Sequence, residues 1–117
     1  MVEAQSLPFM DFFYVENYDD LDLSPYLPVL ERTLDTGKAP DSIIIRAFSD
    51  TVGTEAENLE KTQRFADAVK AWFVDRGVEA DIITATGLGE SQLNMQTEDE
   101  VDQPLNRLVE IEVRTAN

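Results

Sequence analysis

Apolar residues cluster or alternate in four stretches that are typical of β-strands. Residues 9–15 are dense in aromatic and β-favouring side chains and predict a first strand. Residues 43–48 include three consecutive isoleucines, which predict a strand buried on both faces or nearly so, in the middle of a sheet. Residues 78–84 predict a third strand that pairs with the isoleucine strand through a right-handed crossover. Residues 107–114 alternate apolar and polar side chains, so the fourth strand has one wet face.

Two further stretches have the three-to-four residue spacing of amphipathic helices. The first begins at Ser24-Pro25, which suits a helix cap followed by proline, and ends near Gly37. The second covers residues 55–76 and ends at Gly77. Its apolar stripe comprises Leu59, Thr62, Ala66, Val69 and Phe73, with Phe65, Ala68 and Trp72 beside it.

The order of these elements predicts an α/β fold of the α+β sandwich type, β-α-β-α-β-loop-β. Two main helices pack on one face of a mixed sheet. At 117 residues the chain predicts a single domain with a core over about residues 9–114. Gly87-Leu88-Gly89 lacks the third glycine and the helical pattern of a dinucleotide loop, so we interpret it as a tight turn. This turn opens an irregular segment that runs to about Pro104.

Composition narrows the functional classes. The net charge is −15, from 24 acidic and 9 basic residues, so nucleic acid and anionic lipid surfaces are unfavourable partners. The chain has no cysteine and no histidine, which removes thiolate nucleophiles, Ser-His-Asp catalysis and the common zinc sites. We therefore expect no enzyme activity, no cofactor and no metal. No stretch has the apolar length of a membrane span, and no signal-peptide pattern is visible.

The candidate chemistry lies where the isoleucine strand meets the second helix. Asp50 follows the strand directly and Asn58 stands one turn into the helix, an arrangement that suits a small cationic group. A simpler alternative is that Asp50 caps the helix and stabilises its dipole. The acidic residues Asp19, Asp20 and Asp22 lack the spacing of a calcium loop and predict a solvated loop.

Several motifs, in order, resemble the OmpA-like family, the C-terminal peptidoglycan-associated domain of outer membrane protein A. Relatives include domains of flagellar stator subunits and peptidoglycan-associated lipoproteins. The resemblance covers about residues 9–114. The matching motifs are Ser49-Asp50-Thr51-Val52-Gly53, Asn58, Thr62 with Ala66 and Val69, Gly87-Leu88-Gly89-Glu90, and Asn106-Arg107-Leu108-Val109-Glu110-Ile111.

The resemblance implies recognition of the diaminopimelate side chain of the peptidoglycan stem peptide. In the family an aspartate pairs with the ligand ammonium and an arginine on the long helix pairs with its carboxylate. Asp50 matches the aspartate, whereas the arginine position, fifteen residues later, is Phe65. Arg64 is adjacent, but one helical residue rotates a side chain by about 100°, so it points away and reaches at most the rim. Leu108 replaces the second arginine of the family's last motif.

The resulting expectation is a non-catalytic cell-envelope domain that binds the stem peptide weakly or in modified form, with Asp50, Asn58 and Arg107 as ligand residues. The alternative is a degenerate copy that serves as a structural or protein-interaction module. In that case Phe65, Leu108 and Phe48, if exposed, form an apolar patch for a partner, whereas the simpler view places Phe65 in the core. Partners are peptidoglycan or an envelope protein, with a homodimer as a further option. The expected location is the periplasm, associated with the outer membrane, as part of a longer or processed protein.

Overall fold

In the computed structural model, residues 9–35, 37–91 and 103–115 are described, and they form one four-stranded mixed sheet with two main helices. The strand order is β1-β4-β2-β3. β4 runs antiparallel to both β1 and β2, whereas β2 and β3 are parallel. The strands are β1 Phe9–Tyr14, β2 Pro40–Phe48, β3 Ile83–Gly89 and β4 Leu108–Thr115. The predicted fold class is confirmed.

The helices are α1 Leu27–Leu34 and α2 Glu55–Asp75. Short 3-10 turns cover Ser24–Tyr26, Ala80–Ile82 and Pro104–Asn106. The predicted helix start at Ser24 was therefore too early, because Ser24 and Pro25 belong to the turn that precedes α1. Neither helix of the described residues combines the length and the apolar character that crossing a membrane requires.

One face of the sheet carries the core. Alternate residues of β4 point into it, and Val109, Ile111 and Val113 are buried as their period of two predicted. β2 is central, and of its three consecutive isoleucines Ile43 and Ile45 are fully buried, whereas Ile44 faces the other side and is half-buried. The helices supply Leu30 from α1 and Ala66, Val69 and Phe73 from α2.

The third strand is displaced from the prediction. It begins at Ile83 and includes Gly87-Leu88-Gly89, which we had interpreted as a tight turn. The reason is the packing of α2 against β3. A Cβ at Gly87 would lie 2.1 Å from the backbone nitrogen of Gln63, so glycine is needed for the helix to approach the strand. The remainder of the predicted irregular segment, residues 92–102, lies outside the described residues.

Candidate functional site

Asp50 lies just beyond the end of β2, with its side chain largely buried. Its Oδ2 is 2.7 Å from Nη1 of Arg107, which immediately precedes β4. Its Oδ1 accepts a hydrogen bond from the backbone N–H of Val52 at 3.2 Å. Arg107 is also held by its Nε, which donates to the carbonyl of Val15 at 2.8 Å. The structure thus brings two of the predicted ligand residues, Asp50 and Arg107, into direct contact.

The interpretation of Asp50 as the helix cap is wrong. The cap of α2 is Thr54, whose Oγ1 accepts from the N–H of Glu57 at 3.1 Å, while the Glu57 side chain accepts from the N–H of Thr54 at 3.3 Å. This reciprocal capping box satisfies the helix start without Asp50. The Asp50 carboxylate is therefore available for its contact with Arg107.

Asn58, the third predicted ligand residue, orders the turn. Its side chain is buried, and Nδ2 donates to Glu90 Oε2 at 3.0 Å and lies 3.4 Å from the Asp50 carbonyl oxygen. One turn later Thr62 Oγ1 accepts from the N–H of Gly89 at 3.1 Å. These contacts fix α2 to the ends of β2 and β3, so Asn58 positions the backbone of Asp50.

Phe65 lies in the core. Its side chain is 0% exposed and its ring makes edge contacts with Tyr18 and Tyr26, at centroid distances of 5.2 and 5.9 Å. Phe48 is also buried, and Leu108 is half-buried. The simpler view that Phe65 belongs to the core is therefore correct, and the alternative of an exposed patch of Phe65, Leu108 and Phe48 does not hold.

Tyr18 joins this cluster to the site, a role that the sequence analysis missed. Its hydroxyl donates to the carbonyl of Phe48 and lies 3.3 Å from the carbonyl of Leu108. Burial raises the pKa of Tyr18 well above its ordinary value, so the hydroxyl remains protonated and a donor. An aromatic residue in a loop of otherwise polar side chains was the signal available in the sequence.

An open cleft of about 320 Å³ lies beside Asp50. Asp50, Asn58 and Arg107 all line it, whereas Phe65 and Arg64 do not. Lys61 lines the cleft as well, and sequence reasoning missed it, although it stands three residues after Asn58 and four before Phe65 on one helix face. The other lining residues are Glu16, Asn17, Tyr18, Asp19, Ser49 and Val52.

Arg64 lies outside this cleft, as its position on the helix predicted. Its Nη2 is 4.0 Å from Asp19 Oδ1, on an exposed loop at the rim. Lys61 Nζ is 3.7 Å from the other oxygen of the same carboxylate. The cleft therefore has a buried ion pair on its wall, Asp50 with Arg107, and an exposed ion pair at its rim, Asp19 with Lys61.

A family model described as the OmpA family matches residues 26–107, which is more than half of the chain. The chain belongs to the OmpA family. Outer membrane protein A of Bordetella avium is 30% identical over 107 residues, a match that covers 86% of this chain and 55% of that protein. Outer membrane protein A of Yersinia pseudotuberculosis is 42% identical over 50 residues, a match that covers 43% of this OmpA-family chain and 14% of that protein.

Solved structures agree on the fold of this OmpA-family domain. The peptidoglycan-associated lipoprotein of Burkholderia pseudomallei superimposes with a TM-score of 0.70 at 22% identity, covering 87% of this chain and 88% of that one. The cell wall anchor of the T6SS from Pseudomonas aeruginosa gives a TM-score of 0.62 at 18% identity, covering 93% and 82%. At such low identity these likenesses establish the architecture alone.

Proposed function

We propose that this chain is a non-catalytic binding domain of the bacterial cell envelope that recognises the peptidoglycan stem peptide in the Asp50 cleft. The observation that carries the proposal is the largely buried Asp50 carboxylate on the wall of an open cleft, held in place by Arg107 and by the turn that Asn58 orders. Membership of the OmpA family and the fold shared with a peptidoglycan-associated lipoprotein support it. The corresponding location is the periplasm, where the domain would anchor the protein of which it is part.

The Asp50 carboxylate retains room for a ligand ammonium. An ionised carboxylate has about four lone-pair sites, and Arg107 and the Val52 N–H occupy one each. A charge-assisted hydrogen bond to an ammonium is among the stronger polar contacts available in such a partly enclosed site. Asp50 can therefore keep Arg107 and accept the cationic pole of diaminopimelate at the same time.

Affinity is expected to be modest. Phe65 is buried and offers no charge to the ligand carboxylate. The loss of one charge-assisted contact costs about 1.5–3 kcal/mol, which is roughly ten- to a hundredfold in affinity. The strong net negative charge of the domain also opposes its approach to an anionic wall polymer.

A titration of the isotope-labelled domain with a diaminopimelate-containing muropeptide tests the proposal, with pull-down on purified sacculi as a second measurement. We expect shifts of the Asp50, Asn58 and Arg107 amides, and a loss of at least about tenfold in affinity for Asp50→Asn. Asp41→Asn removes the same charge from an exposed position at the start of β2 and should leave binding unchanged. Because Asp50 is paired with Arg107, the fold of each variant is checked by its melting curve. Equal binding by the two variants would contradict the proposal.

A degenerate domain that contacts another envelope protein or a second copy is the alternative. The observation in its favour is a row of exposed apolar side chains on the edge strand β1, namely Met10, Phe12 and Tyr14. If muropeptide shifts no amide at all while Phe12→Ser abolishes a partner contact or self-association, this alternative replaces the first proposal.

A further inference from the structure

We infer that Lys61 binds the carboxylate pole of the ligand in the Asp50 cleft, and that Asp19 competes with the ligand for it. The inference rests on the proposed function, since it names the residue that completes that site. In the part of the chain that the structure describes, two cations line the cleft, Arg107 and Lys61, and they differ in how firmly their contacts hold them.

Arg107 is held firmly by contacts within the protein. Its side chain is 15% exposed, its Nη1 lies 2.7 Å from Asp50 and its Nε donates to the Val15 carbonyl. Withdrawal of Arg107 from this contact would leave Asp50 buried with an uncompensated charge, which is costly. Arg107 therefore orders the site and is poorly placed to exchange its partner for a ligand.

Lys61 is engaged only loosely. Its Nζ lies 3.7 Å from Asp19 Oδ2, and the side chains are 32% and 59% exposed. An ion pair of this length and exposure contributes little to stability, because solvent screens it and two long side chains lose freedom in making it. The Lys61 ammonium can therefore exchange Asp19 for another carboxylate at small cost.

The position of Lys61 on α2 directs it to the cleft. Asn58, Lys61 and Phe65 follow one another at spacings of three and four, so they share one face of the helix. Asn58 orders the Asp50 turn and Phe65 fills the core beneath, which leaves Lys61 as the member of this row with a charge to offer. Arg64, 49% exposed, contacts the other oxygen of Asp19 from outside the cleft.

The charges of the lining explain why Asp19 acts as a competitor. Among the described residues that line the cleft, Glu16, Asp19 and Asp50 bring three formal negative charges, and Arg107 and Lys61 bring two positive ones. A ligand carboxylate that enters the cleft increases the negative charge there, unless it displaces the Asp19 carboxylate from Lys61 towards solvent. Removal of the Asp19 charge should therefore strengthen binding, whereas removal of the Lys61 charge should weaken it.

The experiment uses two synthetic diaminopimelate muropeptides that differ in one group, the free or the amidated side-chain carboxylate. Affinities are measured by calorimetry for the unmodified domain and for Lys61→Gln, Lys61→Arg, Arg64→Gln and Asp19→Asn. We expect Lys61→Gln to bind the free form about tenfold more weakly and the amidated form unchanged. Lys61→Arg should retain binding of the free form, and Asp19→Asn should bind it several-fold more tightly. Arg64→Gln removes the same charge one turn further on, and because Arg64 contacts the Asp19 carboxylate from outside the cleft, it should change affinity much less than Lys61→Gln does.

Equal losses for Lys61→Gln and Arg64→Gln, or a Lys61→Gln loss that is the same for both muropeptides, would overturn the inference. If Asp50→Asn still weakens binding in that case, the proposed function stands and the role of Lys61 alone is wrong. If the unmodified domain binds neither muropeptide, both the inference and the proposed function are wrong. Lys61 and Arg64 are surface residues of a helix, so their variants should fold, and melting curves verify this.

Discussion

Two aspartate–arginine pairs of this domain have similar contacts and different surroundings. Asp50 and Arg107 join the end of β2 to the start of β4 at 2.7 Å, with side chains 9% and 15% exposed. Asp11 and Arg32 join β1 to α1 through two contacts of 2.6 and 3.0 Å, with side chains 13% and 57% exposed, so the arginine of this pair lies largely in solvent. The surface pair has the better geometry, with two parallel hydrogen bonds, and the pair beside the cleft has the greater burial.

Burial determines which of these two pairs costs the folded state more stability when one partner is removed. An exposed pair exchanges water for a partner at little net gain, whereas a buried charge that loses its partner has no water to replace it. The same property suits the first pair to binding, because a carboxylate in a partly enclosed site interacts more strongly with an incoming cation. The comparison predicts that equal substitutions in the two pairs have unequal effects.

Arg107→Gln should give the largest effect. The substitution leaves Asp50 buried beside a neutral amide, and we expect the free energy of unfolding to fall by about 3 kcal/mol. Chemical denaturation monitored by the single tryptophan, Trp72, measures it. Arg114→Gln removes the same charge from an exposed arginine on β4 and serves as the control for the net charge of the domain. A loss no greater than that of Arg114→Gln would show that the cleft pair behaves as a surface pair.

Tyr18→Phe should have an intermediate effect. The Tyr18 hydroxyl contacts the carbonyls of Phe48 and Leu108, the residues that lie next to Ser49 and Arg107, so it holds together the two backbones that carry the buried pair. Loss of this buried hydrogen-bond donor should cost about 1–2 kcal/mol. Tyr14→Phe, at an exposed position on β1, is the matched control and should change little.

The same variant has a pH signature. Burial raises the pKa of Tyr18 above its ordinary value of 10.0, so the contribution of the protonated hydroxyl is complete below pH 10. Above that pH the unfolded chain ionises at this residue while the folded chain does not, and stability falls. Denaturation at pH 7 and pH 11 should show a smaller alkaline loss in Tyr18→Phe than in the unmodified domain. An identical alkaline loss in both would mean that Tyr18 is not the responsible group.

The sequence was sufficient for features that depend on local pattern. The alternation of β4, the isoleucines of β2 and the long apolar stripe of α2 each predicted an element of the right type, because burial of one face imposes a period. The predicted end of β3 was too early for a tertiary reason. Gly87 looks like a turn residue in the sequence, but its small size serves the close approach of α2.

The candidate site, too, was predictable from the sequence only as far as local patterns and motifs reach. Asp50 was singled out at the strand-to-helix junction and Arg107 through a family motif, yet they are 57 residues apart and no spacing rule predicts that they touch. Lys61 belongs to none of the family motifs in the chain, so the resemblance gives no signal for it. The contact between Asp19 and Lys61 depends on where the loop that carries Asp19 packs in the folded domain. The local pattern of the loop residues does not predict that contact.

Arg32→Gln should have the smallest effect of the three stability tests. The pH dependence of that effect shows whether the Asp11–Arg32 pair is its source. The hydrogen bond from Arg32, more than any other contact, lowers the pKa of Asp11 below its ordinary value of 3.8. A lowered carboxyl pKa contributes stability above that value, and this contribution disappears as the pH falls through the folded-state pKa. The difference between Arg32→Gln and the unmodified domain should therefore be small at pH 7 and vanish in strong acid. Added salt should reduce it further, because the guanidinium is exposed and screened. If Arg32→Gln instead destabilises the fold as much as Arg107→Gln, the two-point geometry of the surface pair outweighs the burial of the cleft pair, and the order of importance is reversed.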